Sequence, residues 1–255
     1  MLKPQNMQVL QNQKIAQDTF ELKLTGPQVQ DMTEPGQFLH VMIGEGWEHV
    51  LRRPLSITDV EHHVVTVIYK IVGKGTRALT EKKQGDSIDV LGPRGNGFPY
   101  QTNEDQHILL VGGGVGVPPL FYLAKKLVAQ GNKVTTVLGF QTSSAVFYEK
   151  EFQGLGDLFI TTDDGSYGHK GLVTDVFERI EKPVDLYYTC GPKPMIKAVT
   201  NHLTIPGFMS LEERMGCGIG ACFACVCEAA DTKDEKGYRK VCQDGPVFPV
   251  EEVML

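Results

Sequence analysis

The pattern of apolar and polar positions divides the chain into three stretches. Residues 1–101 alternate short apolar runs, such as Phe38–Ile43 and Val64–Val72, with turn signals at Pro35-Gly36, Gly85-Asp86 and Gly92-Pro93. The segment His63–Tyr69 is rich in β-branched residues, which suit a pleated, half-buried surface. Many short strands in so little chain predict an antiparallel β-barrel or a sandwich. From Gln106 the rhythm becomes α/β. His107–Val111 reads as a strand ending in glycines, and Pro118–Ala129 as a helix. Leu120, Leu123, Ala124, Leu127 and Val128 share one face of that helix, with Lys125 and Lys126 off it. Pro118 and Pro119 suit its start and Gly131 its end. Further strands are expected at Lys133–Phe140, Asp157–Thr162 and Val184–Thr189, with helices near Leu172–Ile180 and at Lys193–Leu203. Such alternation predicts a parallel sheet with helices on both faces. After Gly207 the pattern breaks into glycines and short strand-like runs. The expected division is a barrel over 1–101, an α/β domain over 102–207 and a small tail over 208–255.

Composition narrows the class. A chain of 255 residues suffices for two domains of ordinary size, and 41% hydrophobic with 22% charged residues suits a soluble globular protein. A formal charge of -6 gives no support to nucleic-acid or membrane-surface binding. No apolar run approaches the ~20 residues needed to span a bilayer. The polar start MLKPQNMQVLQNQKIAQ has no apolar signal-peptide core, so the cytoplasm is the expected location. Five of the six cysteines fall between Cys217 and Cys242. In a reducing compartment such crowding points to metal or redox chemistry rather than to disulfides.

Cys217, Cys222 and Cys225 have the spacing C-x4-C-x2-C, with a further thiol at Cys242, the arrangement of plant-type 2Fe–2S sites. A loop around a compact cluster must turn tightly, and Gly216, Gly218 and Gly220 permit that while leaving amides free to point at sulfur. The competing reading is a four-cysteine zinc site, which usually pairs two short hairpins. It would make the chain a zinc-stabilised, non-enzymatic interaction module. Cys227 is a fifth thiol; spacing leaves it open as a ligand, and its plainer reading is a small buried core residue.

Two segments suit phosphate. Leu109–Pro119 is a strand, a glycine turn and a helix start, where amides and a helix dipole meet, and a pyrophosphate is a suitable ligand there. It lacks the third glycine of G-x-G-x-x-G. Gly139, Phe140 and Gln141 end the next strand without an acidic residue, and no arginine cluster follows, so NAD and NADP stay undistinguished. Arg52-Arg53-Pro54-Leu55-Ser56 sets two cations before a rigid turn; arginine grips phosphate bidentately, though a solvated pair at a strand end is the plainer reading. Gly73-Lys74-Gly75-Thr76 could open a helix with Thr76 as its N-cap.

In this order the motifs resemble the ferredoxin-reductase superfamily, an FAD barrel followed by a nucleotide domain. The resemblance is closer to the electron-transfer subunits of the NAD-linked dihydroorotate dehydrogenases of bacteria and covers nearly the whole chain. Arg53-Pro54-Leu55-Ser56 matches the flavin motif, and Ile68-Tyr69-Lys70 and Gly75-Thr76 match its other flavin-contacting segments. Leu91–Pro99 is similar to the turn that closes the barrel. Gly112, Gly113, Gly114 and Gly116, with Cys190-Gly191-Pro192, match the nicotinamide-side segments. Cys217, Cys222, Cys225 and Cys242 align with the cluster ligands, which selects Cys242 over Cys227. The resemblance implies FAD, a 2Fe–2S cluster and NAD(H) as substrate. Its implied partner is an FMN-containing dihydroorotate dehydrogenase catalytic subunit, in a heterotetramer of two of each, serving pyrimidine biosynthesis. Arg53 is expected on the FAD pyrophosphate with Gly75 and Thr76, Ser56 at the flavin ring, Gly112 to Gly116 on the nicotinamide nucleotide and Cys190 near hydride transfer. Reductase subunits of electron-bifurcating ferredoxin:NADP oxidoreductases and soluble hydrogenases share this design and are the alternative.

Overall fold

The computed structural model describes residues 3–44 and 49–255. The N-terminal stretch forms a closed barrel of β1 (Gln5–Ala16), β2 (Thr19–Thr25), β3 (Phe38–Val41), β4 (Arg53–Glu61), β5 (Val64–Lys70) and β6 (Ser87–Arg94), in the order β1-β2-β5-β4-β3-β6. All its pairings are antiparallel. Alternate side chains fill the inside, among them Leu22, Leu24, Val65, Val67, Ile57 and Val90, each fully buried. Burying each such side chain contributes about 1.5–3 kcal/mol, so the period-2 pattern fixes the register. The strand β3 breaks that pattern, because all four of its residues are buried. Leu39 and Val41 point into the barrel, while Phe38 and His40 are covered from outside by the C-terminal tail.

After β5 comes the short helix α1 (Lys74–Leu79). Its N-cap is Gly73, not Thr76. Gly73 has no side chain to cap with, so the Thr76 hydroxyl reaches back and accepts the Val72 and Gly73 N–H groups at 2.9 and 3.2 Å.

The second stretch contributes β7 (His107–Gly113), α2 (Val117–Ala129), β8 (Lys133–Phe140), α3 (Glu149–Gln153), β9 (Asp157–Thr162), β10 (His169–Lys170), β11 (Leu186–Cys190) and α4 (Lys193–His202). The expected helix near Leu172–Ile180 is a 3-10 helix over Val173–Arg179. Its β-branched Val173, Thr174 and Val176 are poor α-helix formers, and Pro183 follows closely. Both faces of the sheet are covered. Leu120, Leu123 and Leu127 of α2 meet Ile108, Leu110 and Leu138, while Val176, Phe177 and Val199 meet Leu109, Val111 and Val137.

The tail adds β12 (Gly207–Ser210), β13 (Val226–Glu228), β14 (Tyr238–Lys240) and β15 (Val247–Pro249). The sheet order is β10-β9-β8-β7-β11-β12-β15, parallel except for β15. The division expected at residue 207 therefore falls inside a sheet strand, and the tail is woven into the sheet by β12 and β15.

Helix α2 also locks onto the barrel. Lys125 Nζ lies 2.9 Å from both Asp59 carboxylate oxygens and touches Glu61. Burial raises the Asp59 pKa, against the opposing bond from Lys125, while the Lys125 bond lowers that of Glu61. Lys125→Met should therefore lower stability at pH 7 by about 1–2 kcal/mol, between exposed-pair and buried-pair values. A group with a raised folded pKa loses stability as pH rises through it, so Asp59 is the group left uncompensated. Urea titrations should show the variant's deficit shrinking as pH falls and Asp59 takes up a proton.

Candidate functional site

A cleft of about 450 Å³ opens where barrel, sheet and tail meet. The barrel supplies Arg53, Pro54, Leu55 and Ser56 from β4, Ile68, Tyr69 and Lys70 from β5, and Thr76 from α1. These segments lie side by side because β4 pairs with β5 and α1 follows β5 directly. The Gly75 main chain lies against the Arg53 guanidinium, since a Cβ there would sit 2.9 Å from Nη2. Arg53 also donates to the Leu51 carbonyl. Among the described residues the Ser56 hydroxyl has no partner. Tyr69 is different: its ring is buried in the barrel core, its OH donates to Asn12 at 3.0 Å, and burial pushes its pKa up to about 12.

From the sheet, Val115 reaches the cleft. The expected anion cradle around it is sparer in donors than the motif suggested. Pro118 and Pro119 carry no N–H, and the Val117 N–H bonds to the Gly114 carbonyl. The glycines also have separate jobs. A Cβ at Gly116 would lie 2.2 Å from the Cys190 carbonyl oxygen, so this glycine lets the turn pass the end of β11. Gly114, at φ +53, faces open space. Gly112 and Gly113 end β7, with Gly113 against Met195; Gly191 and Pro192 lead into α4.

Cys190 ends β11, between Gly112 and Ser210 of the adjoining strands. It is 1% exposed. Burial, with Glu212 nearby, raises its pKa far above the ordinary thiol range, so it is a protonated thiol at neutral pH. Among the cleft walls, Ser210–Met215 and Pro246 were missed by sequence reasoning; their only signal was a position next to the cysteine loop. Glu212 keeps solvent access through the cleft, yet crowding protein raises its pKa.

Two residues beyond Met215 the cysteine loop begins. Cys217 Sγ accepts N–H groups from Ile219, Ala221 and Cys222 at 3.4, 3.3 and 3.4 Å. Cys242 Sγ accepts from Gly220 at 3.2 Å, Cys222 Sγ from Cys217 at 3.4 Å, and Cys225 Sγ from Cys242 at 3.4 Å. Burial opposes ionisation of Cys217, but the Ile219, Cys222 and Ala221 donors outweigh it and hold that thiol at about 6. Burial, then Cys225, pushes Cys242 up to about 12. The thiols approach as two pairs, Cys217 with Cys222 and Cys225 with Cys242. Main-chain donors on every sulfur and pairwise thiols fit a two-iron cluster, in which each iron takes two thiolates. Cys227 is buried on β13 and donates to the Arg239 carbonyl at 3.7 Å rather than joining either pair.

Three barrel residues that sequence reasoning missed support the loop or its surroundings. Arg94 Nε donates to the Gly218 carbonyl at 2.8 Å. Phe38 borders the cleft and joins the cluster of buried side chains around Cys225 and Cys242. His40 is wholly buried under Gly218; burial, then Arg52, lowers its pKa to about 4, so it is neutral.

The comparisons with known proteins agree with this geometry. Residues 212–254 match the family described as the iron–sulfur cluster binding domain of dihydroorotate dehydrogenase B, and residues 110–201 match the oxidoreductase NAD-binding domain. The chain is 51% identical, over the full length of both, to the dihydroorotate dehydrogenase B (NAD(+)) electron transfer subunit of Geobacillus kaustophilus (strain HTA426). Among solved structures, it superposes on a chain of the NADH-dependent reduced ferredoxin-NADP oxidoreductase with TM-score 0.85 and 35% identity, covering 97% of this chain and 89% of that one. A ferredoxin NADP+ reductase from Neisseria gonorrhoeae, at 14% identity, TM-score 0.68 and coverage of 79% and 91%, shares the fold.

The close approach at Gly116 gives a direct test of the turn. Gly116→Ala should cost about 1–3 kcal/mol in urea unfolding, because the methyl group meets a main-chain oxygen that cannot move aside. Gly114→Ala, in open space, should cost about 1 kcal/mol, from its positive φ alone.

Proposed function

This chain belongs to the family of electron-transfer subunits of NAD(+)-linked dihydroorotate dehydrogenase B, and we propose that it carries electrons from a separate catalytic subunit to NAD. The observation that carries the reading is the meeting of three segments at one cleft: the Arg53–Ser56 motif, the turn at Val115 and the stretch that enters the thiol loop. On this reading Cys217, Cys222, Cys225 and Cys242 hold a 2Fe–2S cluster, and the barrel side of the cleft holds FAD. The flavin, when bound, supplies the exchange between two electrons moved as hydride and the single electrons that an iron–sulfur cluster carries.

The chain's own residues then have defined tasks. Arg53 grips the pyrophosphate, and Gly75 brings main chain close beside it without a side chain in the way. The free hydroxyl of Ser56 hydrogen-bonds the ring edge. Val115 and the surface over Gly114 receive the nicotinamide nucleotide, while the Gly116 N–H closes the 3-10 turn onto Gly113. Protonated Cys190, shut in at the strand end, shapes the floor beneath the nicotinamide rather than acting as a nucleophile. The partner is an FMN-containing catalytic subunit that oxidises dihydroorotate to orotate, assembled as two of each in the cytoplasm for pyrimidine synthesis. The 35% identity to a chain of a ferredoxin-NADP oxidoreductase keeps one other redox partner in view. Pull-down from the host separates the two by the catalytic subunit that follows.

Protein prepared without air should contain iron, sulfide and flavin. Cys222→Ser should lose iron and sulfide but keep flavin; full iron retention would remove Cys222 from the ligand set. Arg53→Leu should weaken flavin binding roughly ten- to hundredfold, the loss of a charge-assisted phosphate contact, with the iron content unchanged. The isolated chain should form no orotate from dihydroorotate, and measurable formation would refute the division of labour.

A further inference from the structure

The barrel meets the thiol loop through β3. Phe38 and His40 lie two residues apart on the strand face that points away from the barrel interior. Their rings stand edge to face at 6.4 Å. His40 is 0% exposed, and a Cβ on Gly218 would fall 2.3 Å from its Nδ1. The loop therefore closes directly over the ring. Among the described residues neither ring nitrogen completes a hydrogen bond, although the Cys217 main chain lies beside it.

Packing does not account for a histidine here. Burying a polar atom without a partner is costly, and a leucine of similar volume would fill the same space without that cost. The ring's polar edge is aimed at the Cys217–Gly218 segment. The next residues, Ile219, Gly220 and Ala221, give their N–H groups to Cys217 and Cys242 sulfur. Arg94, also from the barrel, takes the Gly218 carbonyl on the same segment.

We propose that His40 is a positioning residue for the iron–sulfur cluster: with Arg94 it holds the Cys217–Gly218 segment so that the following amides stay aimed at sulfur, and so raises the cluster's reduction potential. The inference rests on reading the four cysteines as iron–sulfur ligands. Its direction follows from charge. Reduction adds one negative charge to the cluster, and aligned N–H donors stabilise the reduced form more than the oxidised one. Loosening them lowers the potential.

The test is a redox titration of the loaded full chain followed by EPR, with the flavin titrated in the same sample. H40L should shift the g-values of the reduced cluster and lower its midpoint by 59 mV or more, tenfold in the one-electron equilibrium, while the flavin midpoint stays in place. H40Q, which restores a donor and an acceptor, should recover at least half of that shift. Wild-type g-values and midpoint in an iron-replete H40L overturn the proposal. Should H40L take up no cluster, the wild-type chain labelled with 15N-histidine decides: pulsed EPR of the reduced cluster should show a 15N coupling, and its absence overturns the proposal. A wild-type chain that binds no iron at all removes the underlying reading instead, so the two failures are distinguishable.

Discussion

A sulfur that is to bind metal as a thiolate is stabilised by hydrogen-bond donors, and in this chain the donors are main chain. The loop from Cys217 to Cys222 turns its own amides inward, onto Cys217, Cys222 and Cys242. That demands a backbone that side chains disfavour: Gly218 and Gly220 sit at φ +67 and +82. It also demands support from two directions. Gly218 is pressed on His40 of the barrel, and Gly220 on Gln243 beside Cys242. Lys240 ties the same loop through the Gly220 carbonyl at 2.7 Å and lies over the Phe223 ring. The loop's shape is thus fixed by the segments around it rather than by the loop alone.

The rest of the architecture keeps that loop next to the cleft. Strand β12 extends the sheet beside β11, and the chain leaves it through residues that wall the cleft before reaching Cys217. β15 returns from Cys242 and pairs with β12, so both ends of the cysteine segment are anchored in one sheet. The barrel is fastened to the same tail by Arg94 on Gly218 and by Asn96, whose main-chain N–H and side-chain amide reach the Gly245 and Asp244 carbonyls at 2.7 and 2.8 Å. The separation between cleft and thiols is therefore set by short polar contacts between barrel and tail. The nucleotide side is joined to the barrel by side chains, Lys125 to Asp59 and Tyr148 to Glu21, by the main-chain bond from the Gln17 N–H to the Ser144 carbonyl at 2.8 Å, and by Tyr122, which is buried in the barrel core.

Much of this was legible in the chain. Lys133–Phe140 and Asp157–Thr162 could be bounded to the residue because buried strands of a parallel sheet read as continuous apolar runs closed by turn residues. The cysteine spacing and the Arg53–Ser56 motif led to the two ends of the site. What stayed hidden depends on contacts between distant segments. His40 and Phe38 look like ordinary barrel positions until the tail covers them. Glu212 and Met215 become cleft walls only because β12 lies beside β11. The Thr76 cap and the 3-10 helix at Val173–Arg179 were misread for local reasons, a glycine that cannot cap itself and a run of β-branched residues. The two prolines after the glycine turn were read correctly as a helix start, but their cost in N–H donors follows only once the turn's own bonding is seen.

The six cysteines show why residue type alone does not assign chemistry. Cys190 and Cys227 are both buried with few donors to their sulfur, and burial raises both thiols. Cys227 gives its hydrogen to the Arg239 carbonyl, as a neutral thiol must. Cys217 is only partly covered, and amide donors lower it to about 6; Cys242 is raised like Cys190 and Cys227, and what sets it apart is the Gly220 N–H on its sulfur and Cys225 beside it. The same contrast separates two surfaces. Cys222 is exposed, with Ile219 and Phe223 exposed beside it, while the cleft lies behind the loop. On the proposed function a protein partner and a nicotinamide nucleotide need never compete for one entrance, because one meets the loop and the other meets the turn.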